Sequence, residues 1–189
     1  MYELIILGLL MHQAAHGYLI AQIINDMVGP WAKVSNGTIY PMLAKLEQRG
    51  YILASAADAE TRDGRGSKRL AITEAGQVRF RQLMLDTTSN PMDYQRIFHF
   101  KVHCIEMLPI PERRRLLDHY TMFCQATILH MQKETADFAT IPGQPRILYW
   151  AANVMGHLTD QWEAELDWVN SLRPLLLTEE SYEKDQTSL

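Results

Sequence analysis

The sequence of 189 residues lacks the features of a disulfide-rich, zinc-binding, membrane-spanning or disordered protein. Its two cysteines, Cys104 and Cys124, form no CxxC pair, so neither a disulfide scaffold nor a cysteine zinc site is predicted. The first apolar run, Leu4 to Met11, is too short to cross a bilayer and lacks the flanks of a signal peptide. Hydrophobic residues make up 47% and charged residues 21%, which excludes a disordered or collagen-like chain. We expect a soluble, cytoplasmic protein that does not enter a membrane.

A catalytic or metal-binding pattern is also missing. An enzyme needs a nucleophile, a base and an orienting group that converge, and the sequence shows no such set. His99 and His103 have the spacing of metal ligands on a helix, but no further ligand pattern accompanies them. Cys104 follows His103 directly and would point about 100° away from it on a helix. We therefore predict no enzyme activity, no cofactor and no metal.

The net charge of −4 is divided unevenly along the chain. Residues 1–85 hold nine Lys/Arg and seven Asp/Glu, whereas residues 86–189 hold nine and fifteen. A mildly basic front half and an acidic back half suggest two regions with different tasks. Two net positive charges do not establish nucleic-acid binding, so the motifs have to decide.

Two short helices are predicted at the start of the chain. Apolar residues recur every three or four positions from Leu4 to Met11, which indicates a mostly buried helix. The pair His16-Gly17 interrupts it, and a second helix follows from about Tyr18 to Met27. Gly29-Pro30 ends this second helix, because Gly caps helices and Pro cannot continue them.

The segment from Lys33 to Gly50 carries the most information. One apolar stripe at helical spacing predicts a third helix; its members are Ile39, Leu43 and Leu46. Ser35 or Thr38 can cap its start. Pro41 lacks an N–H, which costs little if the helix begins near Thr38, because Pro41 then lies in the first turn. With either start we expect an irregular first turn. This helix end carries small polar residues and one Tyr, as a helix end entering a DNA groove requires.

A hairpin with a long basic loop follows. The strand-like runs are Tyr51–Ser55 and Arg69–Ile72, and Asp63-Gly64 marks a turn in the loop between them. Thr73 is predicted to cap a helix that continues to about Leu85. The predicted order is three helices, a strand, a loop, a strand and a helix. This is the order of a winged helix-turn-helix domain. The predicted fold class is therefore mainly α with a small β-hairpin wing.

These segments resemble the PadR family of bacterial transcriptional regulators. The most specific motif is Ser-x-Gly-x-x-Tyr-Pro-x-Leu-x-x-Leu-Glu over residues 35–47. Ile6–Leu10, His16-Gly17-Tyr18 and Arg69–Gly76 add to it. The back half is similar, by helix pattern, to the longer helical C-terminal region of one PadR subfamily and of the related virulence activators. The resemblance implies a dimeric DNA-binding regulator.

The back half is predicted to contain two long helices that form a dimerisation region. They run from Glu112 to about Phe138 and from Pro145 to Leu172, and we expect Arg113 to Arg115 to be solvated. Eight or so large apolar residues left in water would cost more than a whole domain's stability of about 5–15 kcal/mol, so a second copy is expected to cover them. The predicted dimerisation residues are Leu117, Cys124, Ile128, Met131, Val154, Leu158, Trp162, Leu166 and Val169.

The predicted organisation is a winged-helix domain over residues 1–86, a helical dimerisation region over 91–173 and a frayed tail over 174–189. Candidate DNA contacts lie at the start of the third helix, beside it and in the wing: Tyr18, Lys33, Ser35, Asn36, Thr38, Tyr40, Arg62, Arg65, Lys68 and Arg69. Trp150 and Trp162 are candidates for a pocket that takes a small aromatic effector.

The function we expect is a ligand-responsive repressor that binds palindromic operator DNA as a homodimer. A transcriptional activator of the same fold is one alternative. A helical protein-interaction module that has lost DNA binding is the other; the basic residues Lys33 and Lys45 and those of the wing argue against it.

Overall fold

The computed structural model describes residues 1–28, 33–55, 69–87, 91–138 and 145–175. The chain divides into two compact units, Met1–Cys104 and Ile105–Leu189. Residues 91–103, which we had placed with the dimerisation region, therefore lie in the first unit. Within the described residues, no helix has the length and apolar character needed to cross a membrane.

The first unit has the element order of a winged helix-turn-helix domain, which confirms the predicted fold class. Its elements are α1 (Tyr2–His12), β1 (Ala15–His16), α2 (Gly17–Val28), α3 (Asn36–Gln48), β2 (Ile52–Ala54), β3 (Arg69–Ile72), α4 (Glu74–Leu85) and α5 (Pro91–His103). The predicted wing loop, with Arg62, Arg65 and Lys68, lies outside the described residues.

The helices of this unit share one apolar core. Ile6 and Leu7 of α1, Ile20 and Ile24 of α2 and Phe80 of α4 are all buried. Full burial of a side chain of this size is worth about 1.5–3 kcal/mol. α1 is apolar nearly all round, as expected for a helix enclosed by the others.

The three strands form an antiparallel sheet in the order β1-β3-β2. β2 and β3 are the predicted hairpin, with Ile52 opposite Ile72. β1 was not predicted, because a two-residue strand has no periodicity and its partner lies far along the chain. It pairs with β3 through His16 opposite Arg69, so His16, which we expected only to interrupt the helix, lies in the sheet, and Gly17 begins α2.

α3 begins at Asn36 and not near Thr38, the start at which Pro41 would cost least. Pro41 therefore lies in the second turn and not in the first. Since Pro41 has no N–H, the carbonyl of Gly37 lacks its usual helical partner. This places an irregularity close to the exposed end of the helix.

α4 is fixed to the sheet at its first turn. The side chain of Thr73 accepts a 3.0 Å hydrogen bond from the backbone N–H of Gly76, which confirms the predicted cap. The Thr73 hydroxyl also donates to the carbonyl of Gly50, and its N–H donates to the carbonyl of Tyr51. The helix start thus lies directly on Gly50 and Tyr51, the residues that lead into β2.

The second unit is dominated by two long helices, α6 (Ile110–Phe138) and α7 (Pro145–Ser171), after a short 3₁₀ turn at Ile105–Met107. The Tyr120 hydroxyl of α6 donates a 2.7 Å hydrogen bond to Glu165 of α7. Beyond the end of α7, Arg173 donates to Asp118 at 2.6 Å. These bonds link α6 to α7 within one chain.

Arg113 corrects one expectation for this unit. It is buried rather than solvated, and its guanidinium donates to the carbonyls of Leu108 at 2.6 Å and Glu106 at 2.8 Å. A buried guanidinium is tolerated where backbone carbonyls satisfy its donors. Arg113 therefore holds the turn before α6 against the first turn of that helix.

Candidate nucleic-acid interface

The N-terminal end of α3 presents a polar surface to solvent. Its apolar stripe faces the core and is buried, as predicted: Ile39, Leu43 and Leu46. The residues predicted to contact DNA at this end are all exposed: Ser35, Asn36, Thr38 and Tyr40. The structure thus brings these four side chains together at one helix end.

The backbone donors at this end are open. Ser35 is the N-cap, but neither it nor Thr38 makes the side-chain capping bond that we expected. The Ser35 hydroxyl lies 3.2 Å from that of Thr38 instead. Among the described residues, nothing accepts from the N–H groups of Asn36 and Gly37. Open N–H groups and the positive end of the helix dipole attract a phosphate.

Tyr40 stands over the start of α2. A Cβ atom on Gly17 would lie 3.1 Å from Cε1 of Tyr40 and 3.3 Å from Leu43, so the ring and the Gly17 backbone are in close contact. Tyr40 is nevertheless 47% exposed, and the neighbouring Tyr18 is more exposed still. Two tyrosine side chains therefore border the open end of α3.

The two described basic residues that are predicted to contact DNA differ in exposure. Lys33, two residues before the N-cap, is exposed. Arg69 is half-buried at the base of the hairpin and donates a 2.9 Å hydrogen bond to the carbonyl of Ala14. Part of its guanidinium is therefore engaged within the chain.

The predicted dimerisation residues fall into three groups by burial. Four are buried within one chain: Leu117, Cys124, Ile128 and Val169. Four are half-buried: Met131, Leu158, Trp162 and Leu166. Val154 alone is exposed. Burial raises the pKa of the Cys124 thiol to about 12.

The apolar stripe of α7 changes its environment along the helix. At the C-terminal end, Val169 is fully buried. About four turns earlier on the same face, Val154 is 55% exposed, and about six turns earlier Ile147 is 64% exposed. Met122 and Leu129, seven residues apart on α6, are exposed as well and were missed in the sequence. Their spacing is the signal that could have identified them.

The two predicted effector-pocket residues are not brought together. Trp150 and Trp162 lie twelve residues apart on α7, about 18 Å along the helix axis. Trp162 packs edge-on against Phe123 of α6 with ring centroids 5.6 Å apart. Trp150 is exposed and contacts its neighbour Tyr149.

The first unit also contains a groove that the sequence did not reveal. A cavity of about 320 Å³ lies between α1, the end of α2 and α5, lined by Gly8, Leu9, His12, Met27, Phe100, His103 and Cys104. Burial raises the pKa of the Cys104 thiol to about 11, so the thiol is protonated at neutral pH. The described residues contain no group of three metal-ligating side chains.

Comparison with known proteins finds a family model that matches residues of the first unit. Residues 6–82 match the profile of the family described as "Transcriptional regulator PadR-like family". No curated protein sequence matches the chain.

Solved structures give distant likenesses over most of the chain. Bacillus subtilis PadR in complex with operator DNA is 18% identical, covers 92% of this chain and 98% of its own, and has a TM-score of 0.40. The same protein with p-coumaric acid is 19% identical, with 89% and 98% covered and a TM-score of 0.40. The Vibrio cholerae virulence activator AphA is 17% identical, with 97% and 99% covered and a TM-score of 0.39. At these TM-scores the likeness does not bear on how this chain works.

Proposed function

Because residues 6–82 match the profile of the PadR-like family of transcriptional regulators, we propose that this protein is a regulator that binds double-stranded DNA through the N-terminal end of α3. The family consists of regulators and not of enzymes. The observation that carries the proposal is the open helix end, where exposed polar side chains surround N–H groups without a side-chain cap.

In the proposed complex, α3 enters the major groove by this end. Ser35, Asn36 and Thr38 are short enough to approach base edges, and they offer both donors and acceptors. Tyr18 and Lys33 lie beside the helix end, where a phosphate backbone would pass. The wing residues Arg62, Arg65 and Lys68 would add flanking phosphate or minor-groove contacts, and Arg69 would support the base of the wing.

We propose that the protein acts as a homodimer on a palindromic operator. The support is the apolar stripe of α7, which is buried at Val169 and exposed at Val154 and Ile147. A second copy that packed against this exposed stretch would bury it and form a seam between the two subunits. A two-fold dimer with recognition helices about 34 Å apart would contact successive major grooves on one side of the duplex.

We propose that the protein represses transcription and that a small aromatic effector relieves the repression. We also propose that the protein acts in the cytoplasm. An exposed ring pair, Trp150 and Tyr149, is a surface on which an aromatic molecule could stack. Binding there would alter the seam between subunits and hence the separation of the two recognition helices. Coupling of this kind is typically worth about 1–3 kcal/mol.

Selection of bound duplexes from a random 30-base-pair library tests the DNA-binding proposal directly. The expected result is enrichment of a sequence with two-fold symmetry. Affinity for the selected duplex should fall with added salt, by about one power of salt concentration for each phosphate neutralised. Repeating the selection with small aromatic acids present tests the effector.

A protein that enriches no sequence and retains no duplex at low ionic strength is not a DNA-binding regulator. Enrichment of an asymmetric single site by a monomer would keep DNA binding and reject the dimeric, palindromic mode.

A further inference from the structure

We propose that Asn25 is a positioning residue for DNA binding, because its side chain fixes the backbone that leads into α3. The inference rests on the proposed function and identifies what holds the DNA-binding end in place. Asn25 itself does not have to touch the duplex.

Asn25 lies in the last turn of α2 and binds the backbone of Val34 in both directions. Its Oδ1 accepts a 2.7 Å hydrogen bond from the N–H of Val34. Its Nδ2 donates to the carbonyl of Val34 at 3.2 Å and to that of Ala21, one turn back on α2, at 2.9 Å. One amide side chain thus joins α2 to the residue directly before the N-cap of α3.

This link supplies a constraint that α3 does not provide for itself. A helix start is usually fixed by a side-chain cap, and Ser35 makes none here. The exposed donors of Asn36 and Gly37 therefore depend on the preceding backbone for their direction. Val34 is that backbone, and it is held by its buried side chain and by Asn25.

Lys33 and Ser35 flank Val34 on either side. A shift of the Val34 peptide would move both of these candidate DNA contacts together. Contacts to a duplex weaken steeply when donors leave hydrogen-bonding distance and angle. Loss of the Asn25 link is therefore expected to weaken DNA binding even though the protein remains folded.

The first experiment compares Asn25→Ala and Asn25→Asp with the wild-type protein on a duplex that the wild type selects from a random library. Asn25→Asp keeps the acceptor for the Val34 N–H but loses the donor. We expect about tenfold weaker binding for Asn25→Ala and an intermediate loss for Asn25→Asp. Asn153→Ala, on the exposed side of α7, is the matched control and should bind as wild type.

A double-mutant cycle with Ser35→Ala separates positioning from simple destabilisation. All proteins are measured at a temperature where circular dichroism shows them fully folded. If Asn25 acts through the α3 entry, the double variant binds at least threefold more tightly than the product of the single losses predicts. Purely multiplicative losses, or unchanged binding by Asn25→Ala, would overturn the inference and leave DNA binding intact. A wild-type protein that binds no duplex would overturn both proposals.

Discussion

The ammonium group of Lys101 donates a 2.6 Å hydrogen bond to the backbone carbonyl of Asp86, and the lysine is fully buried. This bond joins α5 to the residue that ends α4. Nζ also lies over the Tyr94 ring, 6.0 Å from its centroid. Burial lowers the pKa of Lys101 from 10.5 to about 8, against the opposing effect of the Asp86 carboxylate.

Stability is therefore expected to rise with pH in the alkaline range. Between about pH 8 and 10.5, the unfolded chain binds a proton at Lys101 that the folded protein does not, so a higher pH favours folding. Lys101→Met removes this dependence. The difference in unfolding free energy between wild type and Lys101→Met should change by about 3 kcal/mol across that window, measured by urea unfolding.

The exposed Lys133 of α6 provides the control for this pH effect. Lys133→Met removes an exposed positive charge and so separates the loss of a surface charge from the loss of the buried amine. Parallel curves for Lys101→Met would show that the buried amine does not titrate in this range.

Gly76 of α4 packs closely against the backbone carbonyl of Tyr51. A Cβ there would overlap this oxygen and come within 2.7 Å of the Ile72 side chain. Because the neighbour is backbone, Gly76→Ala has to push α4 away from the sheet. We expect a loss of about 2–3 kcal/mol in the free energy of unfolding.

Gly156 of α7 is the matched site for the same substitution, since nothing lies within 4 Å of its added Cβ. Gly156→Ala should stabilise the protein by about 0.5–1 kcal/mol through helix propensity. Thermal and urea unfolding measure both variants. Equal effects at the two sites would contradict the packing explanation for Gly76.

Much of this fold is encoded in local patterns. The strand Arg69–Ile72 and the Thr73 cap agree with the prediction, and the long helices agree to within two residues. These features depend on periodicity and on neighbours a few positions away. β1 and the buried Arg113 could not be predicted in this way, because each depends on what the backbone brings close in three dimensions.

The same distinction between local and long-range features applies to the candidate site. The polar end of α3 was recognisable from residues 35–40 alone. The link between Asn25 and Val34 was not, since an Asn near a helix end fits solvent equally well. The apolar stripes of α6 and α7 were visible, but the sequence could not show which stretch is covered within the chain.

Tyr40 is expected to contribute to DNA affinity through both its ring and its hydroxyl. Tyr40→Ala should weaken binding to the selected duplex by tenfold or more, whereas Tyr40→Phe retains the ring against Gly17 and should lose less. A side-chain contact to a base is worth about 1–3 kcal/mol of discrimination. Mobility-shift titration measures the affinities, with Val78→Ala on α4 as the control at an exposed position outside the proposed site. Wild-type affinity in a folded Tyr40→Ala protein would reject this role.

Val154 provides the sharpest test of the proposed subunit seam, because Val78 on α4 matches it in type and exposure. The two valines are 55% and 56% exposed, so replacing either by Glu places the same charge at an equally open helical position. If a second copy covers α7 at Val154, Val154→Glu buries an unpaired carboxylate there, and the dimer dissociates. Val78→Glu should remain dimeric. Sedimentation velocity measures the populations, and circular dichroism checks that both variants keep their helices. Dimers of equal strength in the two variants would place the subunit contact elsewhere on the chain.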